Sequence, residues 1–249
     1  MYIICGEFVA RVITRYKKEN KTSYTLGMTL TMELLLYKPG LVDKVFISSN
    51  IEKNENTKKL TQLCSDKAIT LETNDKAFNV LSPKANCFVI GVFRKFESVL
   101  LESSHILLVN PADAGNLGAI MRTAIGFGIN NIGIIKPAVD IFAPKTVRAS
   151  MGALFHMNFE SFECIEEYCQ KYPNHNLYAF MLNAKNSLKD QKFTEPYTLI
   201  FGNEATGLPK EYSEFCNMVK IPHSTDIDSL NLTCAVSIAL YVTTVLNWS

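Results

Sequence analysis

Apolar and polar positions in the first hundred residues follow two periods, one typical of strands and one typical of helices. The strands are predicted at 43–48, 69–72 and 87–94, and the helices near 27–37, 56–66 and 74–81. This alternation predicts a small α/β unit. The amphipathic segment 96–104 then predicts a connector that lacks regular structure for part of its length, so a boundary is expected near residue 100.

The remainder of the chain contains five apolar runs of strand length, at 105–109, 131–135, 176–181, 197–201 and 217–221. Nearly continuous apolar runs indicate strands covered on both faces, which is typical of a mostly parallel sheet flanked by helices. The last helical pattern, 230–248, is apolar over well over half of its circumference. We therefore expect this helix to be buried on more than one side, with a subunit interface covering the surplus.

Length and composition are those of a globular protein, with 249 residues of which 47% are hydrophobic. No stretch of about 18 uncharged apolar residues appears, and the opening segment does not resemble a signal peptide, so a cytoplasmic location without membrane attachment is expected. The seven cysteines form no C-x-x-C pair and have no histidine at metal-ligand spacing. They predict reduced thiols and no metal site.

The net charge of +1 conceals an asymmetry between the two halves. Residues 1–105 hold 15 Lys and Arg against 11 Asp and Glu, whereas residues 106–249 hold 10 against 13. A polyanion is therefore expected to bind the first half. The densest basic stretch suits phosphate contacts together with stacking of its tyrosines on an unpaired base, although on this stretch alone a solvated, lysine-rich surface is the better explanation. The stretch comprises Arg11, Arg15, Lys17, Lys18 and Lys21 with Tyr16 and Tyr24.

The first segment with candidate chemistry is 109–129, a strand followed by a glycine-containing turn and a helix. Gly115 and Gly118 would allow close backbone approach, and the start of a helix exposes unpaired N–H groups. Asn116 lies in the predicted first turn, and Arg122 follows six residues later with a side chain that can lean back toward it. A helix cap and a surface arginine are the structural alternatives, and the G-x-G-x-x-G dinucleotide motif is absent.

Two further segments leave predicted strands at polar loops. In 199–212, Gly202 ends a buried strand and Glu204 follows it, at the edge where open α/β sheets bind ligands. In 221–239, Ser229 is predicted as the N-cap of the final helix. Asn231 would then lie inside the first turn of an apolar helix, which costs free energy unless its amide has a partner.

Taken together, the three segments resemble the signature motifs of the SpoU/TrmH methyltransferases of the SPOUT superfamily. The N-x-G-A-I-x-R motif matches Asn116 to Arg122, G-x-E-x-x-G-L matches Gly202 to Leu208, and I-P followed by S-L-N matches Ile221–Pro222 and Ser229 to Asn231. Residues 147–157 also resemble the S-x-G-A segment of the family. The departures are His223, where the family has methionine, and Thr233 and Cys234 after S-L-N. His223 either touches substrate or is a loop histidine satisfied by its neighbours.

The resemblance implies a trefoil-knotted α/β methyltransferase domain at 105–249, preceded by a ribosomal-protein-like RNA-binding domain at 1–98. It implies S-adenosyl-L-methionine as cofactor, held by backbone groups at Gly202, Ile221, Leu230 and Asn231. It also implies a homodimer, in agreement with the unusually apolar last helix.

The implied reaction is methyl transfer to a ribose 2′-hydroxyl of structured RNA, with ribosomal RNA preferred over transfer RNA. The implied catalytic residues are Arg122, Asn116, Glu204, Ser229 and Asn231. Because a guanidinium stays protonated, Arg122 is expected to hydrogen-bond the developing alkoxide or a phosphate, with the proton leaving to phosphate or water.

Three other functions remain open at this point. A non-catalytic RNA-binding protein would retain the basic first domain with a degenerate knot, although the intact Arg122 and Asn231 argue against this. A SPOUT enzyme that methylates a base is a second alternative, although these particular motifs resemble the ribose-modifying branch. A nucleotide-dependent oxidoreductase is disfavoured by the missing dinucleotide motif.

Overall fold

The chain folds into a four-stranded and a seven-stranded β-sheet, which the computed structural model describes over residues 14–82 and 86–245. The strands are β1 (Thr22–Leu26), β2 (Val42–Ile47), β3 (Leu71–Thr73), β4 (Val89–Arg94), β5 (His105–Val109), β6 (Asn131–Ile135), β7 (Asn158–Phe162), β8 (Asn176–Phe180), β9 (Asn186–Ser187), β10 (Tyr197–Phe201) and β11 (Asn217–Lys220). The helices are α1 (Met28–Tyr37), α2 (Glu55–Asp66), α3 (Asp75–Leu81), α4 (Ala114–Gly126), α5 (Pro144–Ala149), α6 (Ile165–Lys171) and α7 (Leu232–Leu240).

The larger sheet has the order β7-β6-β5-β10-β8-β11-β9, and all of its pairs are parallel. Every residue of β5, β6 and β10 is buried, as their continuous apolar sequences predict for strands covered on both faces. The α/β class with a mostly parallel sheet is therefore confirmed. Because β6 and β10 lie on opposite sides of β5, the strand order reverses here, and such a reversal opens a crevice beyond the carboxyl ends of the strands.

The smaller sheet has the order β1-β4-β2-β3, with antiparallel pairs except for the parallel pair β2 and β3. The sequence pattern predicts every strand of this sheet except β1, whose buried residues include Ser23 and Thr25. The hydroxyl of Ser23 donates to the carbonyl of Phe142 at 2.5 Å, and Thr25 Oγ1 accepts from the N–H of Gly91 at 3.0 Å. Tertiary hydrogen bonds thus satisfy a buried polar face, which a hydropathy pattern cannot reveal.

One of the hydrophobic clusters of the protein contains residues from both sheets. Leu34 of α1 and Phe93 of β4 belong to the same buried cluster as residues of the larger sheet and its helices. Phe93 packs edge-on against Phe155 with ring centroids 5.4 Å apart, and the ring of Phe142 lies 6.3 Å from it. This packing joins residues on both sides of the irregular connector between Arg94 and His105.

The two tyrosines of the basic stretch are used for packing, and this corrects one expectation. Tyr24 is only 6% exposed, and its hydroxyl donates to the carbonyl of Thr14 at 2.9 Å. Tyr16 packs edge-on against Tyr24 and donates to the carboxylate of Asp140. A buried ring cannot stack on an RNA base, so the stacking role predicted for Tyr24 is wrong. Arg11 of the same stretch lies outside the described residues.

The start of the final helix also differs from the prediction. The N-cap of α7 is Asn231, whose Oδ1 accepts from the N–H groups of Thr233 at 2.9 Å and Cys234 at 3.4 Å. Ser229 lies two residues earlier and caps no helix, so its predicted role as N-cap is wrong. Asn231 satisfies the helix start itself, which removes the expected cost of an amide inside the first turn. Across the described parts of the chain, no helix is long and apolar enough to cross a membrane.

A buried hydrogen-bond chain joins the amino ends of β5 and β10. His105 is fully buried, and its Nε2 donates to the carbonyl of Leu101 at 2.6 Å. Its Nδ1 therefore accepts from the hydroxyl of Tyr168 at 2.7 Å, and Tyr168 is also 2.6 Å from Thr198 Oγ1. Burial lowers the pKa of His105 to about 4, because the charged imidazolium would be desolvated.

We expect His105 to make the stability of the protein depend on pH between about 6.5 and 4. The unfolded chain binds a proton at this histidine near its ordinary pKa of about 6.5, whereas the folded protein binds it only near 4. The contribution of His105 to stability is therefore fully present above about pH 6.5. It is lost as the pH drops toward 4, which lowers the free energy of unfolding by up to about 3 kcal/mol. Urea unfolding of the wild type and of His105→Gln from pH 7.5 to 4.5 measures the difference.

Carboxylates titrate in both proteins, so only the difference between the two pH profiles counts. His175 contributes in the same direction, because burial also lowers its pKa. Parallel profiles for the wild type and His105→Gln would contradict the prediction.

Candidate functional site

Three polar segments that are distant in the sequence meet beyond the carboxyl ends of β5 and β10. Asn116 is at the centre of this contact. Its Nδ2 donates to Glu204 Oε1 at 3.1 Å, and its Oδ1 accepts from Asn231 Nδ2 at 3.4 Å and from Thr233 Oγ1 at 3.3 Å. The turn before α4, the loop after β10 and the start of α7 are thereby linked through one amide side chain.

The chemistry of its neighbours fixes the orientation of the Asn116 amide. An ionised carboxylate only accepts hydrogen bonds, so the atom facing Glu204 must be the NH2 group. The oxygen then faces Asn231 and Thr233, which both donate. If the Asn116 amide were flipped, its oxygen would face the Glu204 carboxylate, so that two acceptors would lie against each other. The NH2 group of Asn231 would then have lost its acceptor.

Glu204 also holds the turn that precedes α4. Its carboxylate accepts from the backbone N–H groups of Ala112 at 3.1 Å and Asp113 at 3.2 Å, in addition to Asn116. Burial acts to raise the pKa of Glu204, but the hydrogen bonds from Asn116 and these N–H groups outweigh it and lower the pKa below its usual range. The carboxylate therefore stays ionised near neutral pH and acts as an acceptor.

Asp113 is a structural residue of this site that the sequence motifs did not identify. It is the N-cap of α4, accepting from the N–H of Asn116 at 2.8 Å, and it pairs with Lys145 at 3.1 Å. The hydrogen bond from the N–H of Asn116 has the largest effect and the one from Lys145 the next largest, and together they lower the pKa of Asp113. An aspartate three residues before Asn116 is an ordinary N-cap signal, so the capping rule would have found it.

The glycines of the site serve backbone packing. A Cβ on Gly202 would lie 2.1 Å from the carbonyl carbon of Gly207, so only glycine allows the chain to fold back on itself here. The N–H of Gly207 donates to the carbonyl of Asn203 at 2.9 Å, and Gly207 has φ of +68°. A Cβ on Gly118 would lie 2.6 Å from the carbonyl oxygen of Thr146, so Gly118 permits α4 to pack against α5.

A cavity of about 240 Å³ opens beside the contact network, at the carboxyl ends of β8, β10 and β11. Its apolar part includes Phe180 and Phe201, whose rings stack with centroids 4.4 Å apart. Five of the residues predicted for the site line it, namely Gly202, Glu204, Ile221, Ser229 and Leu230. His223 also lines it, and so does Leu182, a residue after β8 that no motif identified.

Three predicted residues do not line this cavity. Asn116 and Asn231 lie beside it, connected through Glu204. Arg122 is exposed on α4, and within the described residues its guanidinium has no hydrogen-bond or ion-pair partner. Six residues at 3.6 per turn place Arg122 about 120° around α4 from Asn116. The structure therefore brings the other predicted residues together and leaves Arg122 facing solvent.

A second cavity, of about 480 Å³, lies at the carboxyl ends of β6 and β7 on the same edge of the sheet. It is lined by an apolar segment that includes Pro137 and Ile141, and by Lys18 and Lys136. Lys136 pairs with Glu163 at 2.7 Å. Four residues of the basic stretch lie within the described part of the chain, and all four are exposed: Arg15, Lys17, Lys18 and Lys21.

Comparison with known proteins gives one family. The model of the SpoU rRNA methylase family matches residues 103–241, which is 139 of the 249 residues. The segment that matches contains Asn116, Glu204 and Asn231.

Two curated relatives differ in how much of each chain they cover. An uncharacterized tRNA/rRNA methyltransferase of Synechocystis is 31% identical over 139 residues, covering 55% of this chain and 51% of the relative. The chain thus spans about half the length of that relative. The 23S rRNA (guanosine(2553)-2′-O)-methyltransferase RlmP of Bacillus subtilis is 26% identical over 224 residues, covering 86% of this chain and 89% of RlmP.

Among solved structures, the AdoMet-bound rRNA methyltransferase of Sinorhizobium meliloti superposes with a TM-score of 0.77 at 23% identity. The superposition covers 92% of this chain and 89% of that protein. Such a likeness extends over both sheets and identifies a shared fold.

We expect Glu204→Gln to destabilise the protein by about 1–2 kcal/mol, because charge-assisted hydrogen bonds to two N–H groups and one amide are weakened. Urea unfolding at neutral pH measures the loss. Glu211→Gln is the matched control, since Glu211 is exposed and lies seven residues further along the chain. Equal stability of the two variants would show that Glu204 does not hold the segments together.

Proposed function

Because the chain belongs to the SpoU rRNA methylase family, we propose that it transfers a methyl group from S-adenosylmethionine to a ribose 2′-hydroxyl of RNA. The observation that carries the proposal is the hydrogen-bonded contact of Asn116, Glu204 and Asn231 beside a cavity lined by Gly202, Ile221 and Leu230. Ribosomal RNA is the proposed substrate class over transfer RNA, since RlmP aligns with most of the chain.

The cavity fits the chemistry of an adenosyl group. Aromatic and aliphatic side chains on its walls suit a flat apolar ring, and the polar groups of Glu204, Ser229 and His223 suit hydroxyl and amino substituents. Gly202, Ile221 and Leu230 would hold the adenosyl part through their backbones. When bound, S-adenosylmethionine supplies an electrophilic methyl group on a positively charged sulfur.

The residues of the network have the proposed role of orienting the ribose and the cofactor. The amide of Asn116 is fixed by Glu204, Asn231 and Thr233, so its position is set before substrate binds. Preorganised hydrogen-bonding groups avoid the cost of reorganisation during the reaction. Ser229 and Asn231 complete the proposed polar edge of the site.

Arg122 has the proposed role of stabilising charge on the RNA. A guanidinium remains protonated and cannot serve as an ordinary base. Its exposed donors are available to an alkoxide forming at the 2′-oxygen or to an adjacent phosphate, and the hydroxyl proton then leaves to phosphate or water. The guanidinium would thus contact bound RNA and not the residues that line the cavity.

We further propose that residues 105–249 form a trefoil knot and that residues 1–98 form an RNA-binding domain. Membership of the SpoU family supports the knot, and α7, which follows β11 along the chain, packs against α4, which follows β5. The basic N-terminal residues and the second cavity support RNA binding along the same sheet edge as the first cavity.

A homodimer is proposed from the exposed face of α7. Ile238 of α7 is 39% exposed, and Tyr241, which follows α7 about one turn after Ile238, is 49% exposed. Apolar side chains in a stripe on a terminal helix favour burial against a second copy.

The activity is tested with tritiated S-adenosylmethionine and ribosomal and transfer RNA from cells that lack the modification. We expect label to enter ribosomal RNA, and the labelled linkage to resist alkaline cleavage, because a 2′-O-methyl group removes the internal nucleophile. A labelled site that stays sensitive to alkali would indicate base methylation, and cofactor binding without label in any RNA would indicate a non-catalytic RNA-binding protein.

We expect Arg122→Ala to bind S-adenosylmethionine as the wild type does and to lower turnover by about 100-fold, the loss typical of one charge-stabilising donor. Isothermal titration and single-turnover methyl transfer measure the two quantities. Arg94→Ala is the control, because Arg94 is exposed and contacts Asp43 in the smaller sheet. Near-full turnover of Arg122→Ala would remove Arg122 from the mechanism.

We expect the wild type to have twice the mass of one chain by light scattering, and Ile238→Asp to shift toward the monomer, because a charge on an apolar interface is desolvated. Leu36→Asp is the control, since Leu36 is 50% exposed on α1. A monomeric wild type, or a dimer unaffected by Ile238→Asp, contradicts the proposed interface.

A further inference from the structure

His223 lines the cavity and has one ring nitrogen bonded to the backbone and the other without a partner among the described residues. Its Nδ1 lies 2.9 Å from the carbonyl oxygen of Ile221. A carbonyl oxygen only accepts, so the proton of the neutral ring is on Nδ1. Nε2 then carries a lone pair, and it has no hydrogen-bond partner among the described residues. The ring is half-buried and lines the cavity with Glu204 and Ser229.

We propose that His223 binds the cofactor, with Nε2 accepting a hydrogen bond from an O–H or N–H donor on the nucleoside part of the adenosyl ligand. The inference rests on the proposed function and specifies a residue of the same site. It is particular to this chain, because the signature motif that this segment resembles has methionine here, and a thioether is a much weaker acceptor than an imidazole nitrogen.

The hydrogen bond from His223 Nδ1 to the carbonyl of Ile221 preorganises Nε2 as an acceptor. A ring held through Nδ1–H has its tautomer and its orientation defined before ligand binds, which lowers the entropy lost on binding. The apolar rings of Phe180 and Phe201 line the same cavity and suit a nucleobase. A nucleoside is therefore the part of the ligand that we assign to this acceptor.

The choice of substitutions separates the two nitrogens. His223→Asn keeps a short amide donor for the carbonyl of Ile221 but has no acceptor at the Nε2 position. His223→Gln extends further and can offer its amide oxygen near that position. His223→Met removes both functions and introduces the motif residue. Ser224→Ala is the control in the same loop, because Ser224 is exposed, bonds to Asp226 and does not line the cavity.

Isothermal titration with S-adenosylhomocysteine measures the effect without requiring turnover. We expect His223→Asn and His223→Met to weaken binding by about 3- to 10-fold, the value of one neutral hydrogen bond. His223→Gln should stay within about twofold of the wild type, and Ser224→Ala should equal it. Thermal unfolding establishes that each variant is folded. Wild-type affinity in folded His223→Asn and His223→Met would overturn the assignment.

Binding of 5′-methylthioadenosine, which lacks the amino acid moiety, tests whether the hydrogen-bond donor to His223 is on the nucleoside part of the ligand. If the donor is on the nucleoside, the ratio of wild-type to His223→Asn affinity is the same for this compound as for S-adenosylhomocysteine. A ratio of one with 5′-methylthioadenosine alone would overturn the assignment to the nucleoside.

The tautomer is tested on the wild type by nitrogen-15 NMR of the imidazole rings. With only four histidines, the resonances of His223 are identified by their loss in His223→Asn. We expect a protonated Nδ1 and an Nε2 resonance that shifts when S-adenosylhomocysteine is added. A protonated Nε2 would overturn the inference while cofactor binding stands, whereas failure of the wild type to bind S-adenosylhomocysteine would overturn the proposed function and this inference with it.

Discussion

The hydrogen bonds of the Glu204 carboxylate are the interaction on which the candidate site depends. Glu204 accepts from the backbone of the turn before α4 and from the amide of Asn116, which in turn accepts from Asn231 at the start of α7. Glu204 lies 88 residues and Asn231 lies 115 residues after Asn116 in the sequence. One ionised group at a strand end thus fixes the relative positions of two helix starts, and the cavity lies where they meet.

The position of this contact follows from the sheet. The strand order reverses between β5 and β10, and the loops after these strands diverge, which leaves room at their carboxyl ends. Gly202 lets the loop after β10 fold back onto Gly207, and Gly118 brings α4 against α5. Backbone packing therefore sets the walls of the cavity, while the polar side chains set its edge.

The differences between prediction and structure have a common physical origin. The pattern missed β1 because hydroxyl groups satisfied by distant partners form its buried face. It placed the start of α7 at Ser229 because serine and asparagine are both good caps, and only the backbone conformation distinguishes them. Thr233 contacts Asn116, although in the sequence it appeared only as a departure from the motif. For β1 and for Thr233 the deciding partner lies far away along the chain, whereas the start of α7 is decided by local backbone conformation.

The sequence by itself determined five of the seven strands of the larger sheet, all except β7 and β9, and the residues of its polar loops. Continuous apolar runs and loop motifs are local properties of the chain. Tertiary structure alone decided that Asn116 connects Glu204 with Asn231, that Arg122 stays apart from them, and that Tyr24 is core and not surface. It also decided which nitrogen of His223 is available, since that depends on the carbonyl of Ile221. Partners in a hydrogen bond are selected by the folded geometry, and a linear pattern contains the groups but not the distances between them.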